Sequence, residues 1–296
     1  MSQKAGHSNL PVKADYLILF VLSLIWGSSF ILIKLGLDFF NPMQVGALRI
    51  FIAAIAFIPI TIYRRKEIEW KLWPYFLIVG MLGSGIPSFL FPLAQQELSS
   101  SIAGILNSLT PLFTLIIGAW IFRSKINNAK IFGVIIGLIG AVLLILIGEK
   151  LSLNTKLYYG FYVLLATICY GTSVNVAKAK MDHVNPTLMM STAFLFVLPF
   201  ATVALFMSGT HTTIIKTPGI FKGVFYIGLL SLLSTFYASI LFYKMVQRTN
   251  PVFSSSVTYL IPIVGLFWGV LDGEAFGIFH VLGMSLILIG VYFSRK

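Results

Sequence analysis

Two stretches of the chain repeat one another and decide its architecture. Residues 25–34 read Ile-Trp-Gly-Ser-Ser-Phe-Ile-Leu-Ile-Lys, and residues 169–178, which lie 144 positions later, read Cys-Tyr-Gly-Thr-Ser-Val-Asn-Val-Ala-Lys. The same offset aligns Asn41-Pro42 with Asn185-Pro186, and an offset of 151 aligns Pro111 with Pro262. Because the offset changes only across loops, the sequence predicts one structural unit that is present twice.

The composition places both units in a membrane. Of the 296 residues, 58% are hydrophobic and only 10% are charged, and the mean hydropathy is +0.94. Soluble domains carry about 25% charged residues, so this chain lacks the polar surface of an ordinary soluble enzyme. An aromatic content of 15% excludes a disordered chain. The class that remains is a polytopic membrane protein.

Ten apolar segments are each long enough for a transmembrane helix, which needs about 20 residues. Segments 1 to 10, in chain order, are Tyr16–Ile33, Pro42–Ile62, Trp73–Ala94, Ser99–Phe122, Ile131–Gly148, Leu157–Ala177, Thr187–Met207, Phe221–Tyr243, Pro251–Leu271 and Ala275–Phe293. They predict an all-α integral membrane fold of ten helices in two five-helix repeats, residues 15–148 and 157–293. Because five is odd, the second repeat enters the membrane in the opposite sense, as an inverted-topology repeat.

The distribution of lysine and arginine predicts the orientation. The two termini and every second loop carry fifteen of these cations, and the alternate loops carry five. Since cytoplasmic loops are enriched in Lys and Arg, we expect a multi-pass protein of the plasma (inner) membrane with both termini cytoplasmic. The net charge of +12 is spread between apolar runs rather than gathered in one patch, so no nucleic-acid partner is predicted.

Several motifs carry a family resemblance. They are Trp26-Gly-Ser-Ser-Phe followed by Lys34, Leu48-Arg49, Ser108-Leu-Thr-Pro111, Tyr170-Gly-Thr-Ser, Pro262, Gly273-Glu274 and the Gly283 to Gly290 helix. In this order the chain resembles the drug/metabolite transporter superfamily, EamA type, with two EamA domains covering nearly its whole length. The resemblance implies a ten-helix carrier that exports amino acids or related metabolites by alternating access. One departure is Phe122-Arg123, where the family usually reads Gly-Glu, so the resemblance gives no carboxylate at that junction.

Polar side chains inside the segments are the candidate site, because they must face protein or a water-filled cavity. Inverted repeats place a substrate near the midplane, between the two halves. The predicted substrate-binding residues are Trp26, Ser29, Asn107, Thr110, Tyr170, Ser173, Asn175, Tyr237, Thr258 and Tyr259. The two aromatics of the repeated motif lie about 15 Å into their segments, too deep for an interfacial belt. They are either cavity walls or core packing.

Glycine and proline mark further positions. Gly27 and Gly171 allow close helix approach, local unwinding or simple packing. Pro111 and Pro262 each free a carbonyl in mid-membrane, which neighbours or water must satisfy. Segments 5 and 10 are almost wholly aliphatic, with glycines at helical spacing, and are expected to be peripheral. The predicted state is a monomer or a homodimer through these two helices.

Charged residues inside the segments are few. Arg49 is the only strongly charged residue well inside one, and its repeat position is Ala193. It either binds a substrate carboxylate, donates to backbone carbonyls as a structural hub, or snorkels to the membrane surface. Lys34 and Lys178 are the other cations near the predicted cavity. All nine acids fall at segment ends or in loops, which disfavours a proton pump with an embedded carboxylate.

These patterns favour a secondary transporter that exports an amino-acid-like metabolite. The alternative on the same fold is an importer or exchanger of nucleotide- or sugar-linked metabolites, which would need several cations facing the cavity. An intramembrane enzyme would need a nucleophile with a base, or paired acids, at mid-depth, and a channel would usually show rings of like charge. Neither pattern occurs. The sequence therefore predicts no enzyme, cofactor or metal, and the expected partners are a small-molecule substrate and the lipid bilayer.

Overall fold

A computed structural model of the protein describes residues 11–98, 100–124, 127–148, 159–271 and 277–294. Throughout these ranges the regular structure is helical. The predicted starts of segments 4, 6 and 10 at Ser99, Leu157 and Ala275, and the Gly273-Glu274 pair, lie outside the described residues.

Six described helices are long and apolar enough to cross a membrane. They form segments 1, 2, 3, 6, 7 and 8, and their bounds are Lys13–Leu37, Pro42–Tyr63, Trp70–Gln95, Gly160–Lys180, Pro186–Met207 and Ile220–Arg248. Segments 4 and 9 are each broken into two helices, Ser100–Asn107 with Thr110–Trp120 and Pro251–Ser255 with Val257–Leu271. Segment 5 forms the helix Asn128–Gly148, and the described part of segment 10 forms the helix Ile278–Ser294. The all-α membrane fold is confirmed, and the count of ten spans stays a prediction.

The repeated Asn-Pro dipeptide begins segments 2 and 7 in the same way. The Asn41 side chain accepts the backbone N–H of Gln44 at 3.0 Å, and Asn185 accepts those of Thr187 and Leu188. The proline follows at the first helical position, where no backbone N–H is needed. Each motif thus starts the second helix of its repeat.

Helix packing follows the repeat. Segment 1 packs against segment 9 and segment 6 against segment 4, while segments 2 and 7 pack against each other. A Cβ at Gly27 would lie 2.8 Å from Val264, and one at Gly171 would lie 3.0 Å from the backbone nitrogen of Thr114. Both glycines lie inside continuous helices. They therefore allow close helix approach without local unwinding.

The glycines of segments 5 and 10 face each other within one chain. A Cβ at Gly290 would lie 2.5 Å from the Cα of Gly137, and one at Gly140 would lie 2.8 Å from the carbonyl oxygen of Gly283. This contact joins the last helices of the two repeats. Association of two chains through the remaining surfaces of these helices stays a prediction.

The segment ends form two faces that differ in charge. Within the described part of the chain, face A, where segments 1, 3 and 7 begin and segments 2, 6 and 8 end, includes the ion pairs Asp15–Arg248, Arg64–Glu67 and Lys178–Asp182 and a contact between Glu69 and His183. Face B, at the opposite ends, is joined by uncharged hydrogen bonds such as that from Gln44 Nε2 to the Ser208 carbonyl at 3.0 Å. Face A gathers the loops that the cation count assigns to the cytoplasm.

Candidate functional site

A cavity of about 80 Å³ lies at the centre of the molecule. On the same measure one buried water occupies roughly 10–15 Å³, so the cavity holds several waters or a small metabolite. Seven segments line it, four from the first repeat and three from the second. The lining residues are Trp26, Ser29, Phe30, Ile33, Arg49, Gly83, Ser84, Phe91, Asn107, Thr110, Tyr170, Val174, Ser234, Ser239, Phe242, Tyr243, Ser255, Val257, Thr258 and Ile261.

Segments 3 and 8 reach the cavity through matching irregular turns. A π-helical turn interrupts segment 3 at Met81–Gly85 and segment 8 at Leu230–Tyr237. Such turns interrupt the regular backbone hydrogen bonding of a helix and recur at functional sites. In segment 8 the carbonyl of Ser234 accepts a hydrogen bond of 2.9 Å from Trp26 Nε1. The π turn thus fixes the indole of segment 1 in the cavity wall.

Two aromatic pairs lie at opposite ends of the cavity. Trp26 packs on Phe242 with ring centroids 5.1 Å apart, and Tyr170 stacks on Phe91 at 6.1 Å. Trp26 and Tyr170 are related by the offset of 144, and Phe91 and Phe242 belong to the third segment of their respective repeats. Phe242 lies near the face A end of segment 8 and Phe91 near the face B end of segment 3. Each aromatic of the repeated motif thus packs on a phenylalanine from the third segment of the other repeat.

Pro111 and Pro262 do not line the cavity, but the carbonyls that they free have identifiable hydrogen-bond partners. Pro111 frees the carbonyl of Asn107, which accepts a hydrogen bond of 2.6 Å from Thr110 Oγ1. Pro262 frees the carbonyl of Thr258, which accepts one of 3.2 Å from Ser108 Oγ across the contact with segment 4. Neighbouring hydroxyls thus satisfy both carbonyls, as mid-membrane backbone requires.

Arg49 is the one cation among the cavity-lining residues. Its side chain is 8% exposed, and its Nε donates a hydrogen bond of 2.7 Å to Thr235 Oγ1 in the π turn of segment 8. Among the described residues no carboxylate oxygen lies within 4.0 Å of the guanidinium, and neither Nη donates to a protein acceptor. One alternative from the sequence was that Arg49 donates hydrogen bonds to several backbone carbonyls. Among the described residues it instead donates to one hydroxyl, that of Thr235.

The structure brings many of the predicted site residues together and leaves others outside. Trp26, Ser29, Asn107, Thr110, Tyr170, Thr258 and Arg49 line the cavity. Ser173 lies just behind the wall, where its hydroxyl shares a hydrogen bond of 2.6 Å with Tyr243. Asn175 instead joins segments 6 and 4, because its Nδ2 donates to the Thr114 carbonyl at 2.9 Å.

The remaining predicted residues point away from the cavity. Tyr237 is 48% exposed and is not a cavity-lining residue, whereas the hydroxyls of Ser234 and Thr235 nearby are buried. Tyr259 is fully buried and donates to the Val134 carbonyl of segment 5 at 2.9 Å. Lys34 is exposed, and Lys178 pairs with Asp182 at face A at 3.0 Å. Position along the segment had suggested these residues, but the direction of each side chain decides its contacts.

The sequence reading missed the contributions of segments 3 and 8. Gly83, Ser84, Phe91, Phe242 and Tyr243 all line the cavity. The two segments are unlike in sequence, so self-comparison did not align them. The available signal was their interruption, by Gly and Pro in segment 3 and by hydroxyls in segment 8, since broken helices mark transporter sites.

The cavity carries no group suited to a metal ion within the described chain, where no cluster of three or more His, Cys, Asp or Glu side chains occurs. Its walls are aromatic rings, hydroxyls, one amide and one guanidinium. Such a lining binds a small polar molecule by hydrogen bonds and ring contacts.

Comparison with known proteins agrees with this architecture. The model of the EamA-like transporter family matches residues 14–146 and again residues 157–295. The chain belongs to the EamA-like transporter family. The family resemblance predicted from the sequence motifs is thereby confirmed, and the chain is a multi-pass membrane protein with a transporter architecture.

Relatives of this EamA-like chain match over nearly its full length. A protein of Archaeoglobus fulgidus named an uncharacterized transporter is 28% identical, covering 94% of this chain and 97% of its own. A probable amino-acid metabolite efflux pump of Salmonella typhimurium is 25% identical, covering 95% of this chain and 94% of its own. One crystal structure shares the fold, with a TM-score of 0.70, 17% identity and 96% coverage of both chains. The family and relative names indicate a transporter rather than an enzyme.

Proposed function

We propose that the protein is a secondary transporter that exports a small, amino-acid-like metabolite through the central cavity by alternating access. The observation that carries the proposal is the pair of repeat-related aromatic contacts, Trp26–Phe242 and Tyr170–Phe91, at the two ends of one cavity. Inverted repeats that exchange conformations would open one end while closing the other. The name of the Salmonella relative supports an amino-acid-like substrate and outward movement.

The cavity favours a small metabolite over a nucleotide- or sugar-linked one. It has a volume of about 80 Å³ and a single lining cation, Arg49. A site for a phosphate-bearing substrate would need several cationic side chains and a larger cavity. We place face A at the cytoplasm because the cation-rich loops lie there, so export runs from face A to face B.

Counterflow in proteoliposomes tests the proposal. Vesicles preloaded with an unlabelled amino acid should accelerate uptake of the labelled one, because only a carrier shows trans-stimulation. Replacing Asn107 with Ala removes a cavity amide and should lower apparent affinity by up to about tenfold, since a hydrogen bond contributes about 1 kcal/mol. Tyr237→Ala, on the outer side of segment 8, is the control and should transport normally. A panel of the twenty amino acids without trans-stimulation would overturn the proposal.

A further inference from the structure

We infer that Arg49 is the carboxylate subsite of this cavity, so that the transported molecule is a monocarboxylate bound through its acid group. The inference rests on the proposed transport function and names the substrate class that the site accepts. The charge of Arg49 within the molecule supports this assignment.

Arg49 is a buried cation that pairs with no carboxylate among the described residues. Only 8% of its surface is exposed, and the described acids lie at segment ends, where Asp15 and Asp182 pair with Arg248 and Lys178. An unpaired buried charge is costly in a low-dielectric interior. A ligand that brings one negative charge into the cavity relieves this cost.

The hydrogen bond to Thr235 leaves the guanidinium suited to a carboxylate. Nε is engaged by Thr235 Oγ1 at 2.7 Å, which holds the planar group against the π turn. The edge formed by the two Nη atoms has no acceptor among the described residues, and this edge matches the two oxygens of a carboxylate in a bidentate pair. Thr235 is thus a positioning residue for the subsite.

The other lining residues determine which side chain and amino group the substrate can carry. Aromatic rings dominate both ends, from Trp26 and Phe242 to Phe91 and Tyr170. The lining residues include no acid. The ammonium group of a substrate would therefore contact only aromatic rings, hydroxyls and carbonyls, which can bind one ammonium. The cavity therefore fits an apolar amino acid or a plain carboxylic acid, and it disfavours amines that lack the carboxylate.

The test compares an acid with its amide. Leucine and leucinamide, and phenylalanine and phenylalaninamide, differ in the group that Arg49 would bind. In the wild-type protein each acid should drive counterflow and raise the melting temperature, whereas each amide should not. Arg49→Gln should weaken acid binding by about 10- to 100-fold, the equivalent of a charge-assisted bond of 1.5–3 kcal/mol, and should abolish the preference for acid over amide.

Two variants of Thr235 and one control variant separate a binding role from a structural role. Thr235→Val should weaken acid binding and abolish the preference for the acid over the amide, and Thr235→Ser should restore both. Thr202→Val is the matched control, because the Thr202 hydroxyl donates to the Leu198 carbonyl within its own helix. A subsite role predicts that ligand-free Arg49→Gln melts no lower than wild type. A structural role predicts a lower melting temperature, with an unchanged acid preference in Thr235→Val, and that result would overturn the inference.

The outcomes also distinguish the subsite from the proposed function. Suppose that the protein exchanges amino acids and prefers the acid to the amide, and that Arg49→Gln and Thr235→Val both keep this preference. The assignment of Arg49 as the carboxylate subsite is then wrong, and the transport function stands. If no amino acid exchanges, but acetate or propionate raises the melting temperature only when Arg49 is present, the amino-acid function is wrong and the subsite stands.

Discussion

The two halves of the molecule contribute similar aromatic side chains to the cavity wall but different charged side chains. Each half supplies one aromatic of the repeated motif and one phenylalanine of the interrupted helix. Only the first half supplies a charge, because Arg49 corresponds to Ala193, which is fully buried. A Cβ at Gly80 would lie 2.7 Å from the carbonyl oxygen of Ala193, so segments 3 and 7 approach each other closely at this position. In the proposed mechanism, the symmetric elements close the two ends of the cavity and the asymmetric Arg49 selects the substrate.

The largest expected effects test whether the halves are packed alike. Gly27→Ala and Gly171→Ala should each destabilise the protein by about 1–3 kcal/mol, the usual cost of overpacking. At Gly27 the new Cβ meets the Val264 side chain at 2.8 Å, whereas at Gly171 it meets main-chain atoms, the nearest at 3.0 Å. Val264→Gly should therefore restore much of the stability of Gly27→Ala, as measured by thermal unfolding in detergent.

The matched control is Thr114→Gly, which removes a side chain but not the main-chain nitrogen against which Gly171 packs. It should give Gly171→Ala no recovery. Equal rescue at both sites would show that the two helix contacts are equivalent and that the difference in their closest atoms has no energetic meaning.

The repeated elements could be predicted from the sequence because the repeat is local. Trp26 and Tyr170, and Asn107 and Thr258, occupy equivalent places in aligned motifs, and all four line the cavity. Phe91 and Phe242 could not be paired in this way, because segments 3 and 8 share little sequence and their π turns depend on tertiary packing. Tyr259 was misplaced for a related reason: its contact, the Val134 carbonyl, lies 125 residues away in the chain.

A second comparison concerns the aromatic pairs as closures. Phe91→Ala removes the ring that stacks on Tyr170, and Phe242→Ala removes the one that packs on Trp26. Because an aromatic pair contributes about 0.5–1.5 kcal/mol, each change should open its own end and raise access by up to about tenfold. A cysteine introduced by Ser84→Cys, in a Cys169→Ser background, reports access to the cavity when labelled by an impermeant thiol reagent.

The two variants should respond from opposite sides. Phe91→Ala should speed labelling from face B and Phe242→Ala from face A, with Glu97→Cys and Lys66→Cys identifying the faces in right-side-out and inverted vesicles. Lys66→Cys should be reached only from the cytoplasmic side if the proposed orientation is correct. The same labelling change in both variants would mean that the pairs are core packing rather than closures.

The smallest expected effect separates the two repeat-related aromatics themselves. Trp26 donates through Nε1 to the Ser234 carbonyl at 2.9 Å, whereas the Tyr170 hydroxyl has no hydrogen-bond partner among the described residues. Trp26→Phe should therefore cost about 1 kcal/mol in the ligand-free protein, the contribution of a hydrogen bond to a buried carbonyl. Tyr170→Phe should leave ligand-free unfolding unchanged and lower only the stabilisation gained on adding an amino acid. Thermal unfolding of both variants with and without leucine distinguishes these effects. If Tyr170→Phe lowers the ligand-free melting temperature as much as Trp26→Phe does, its hydroxyl supports the fold, and the substrate contact must be sought elsewhere in the cavity wall.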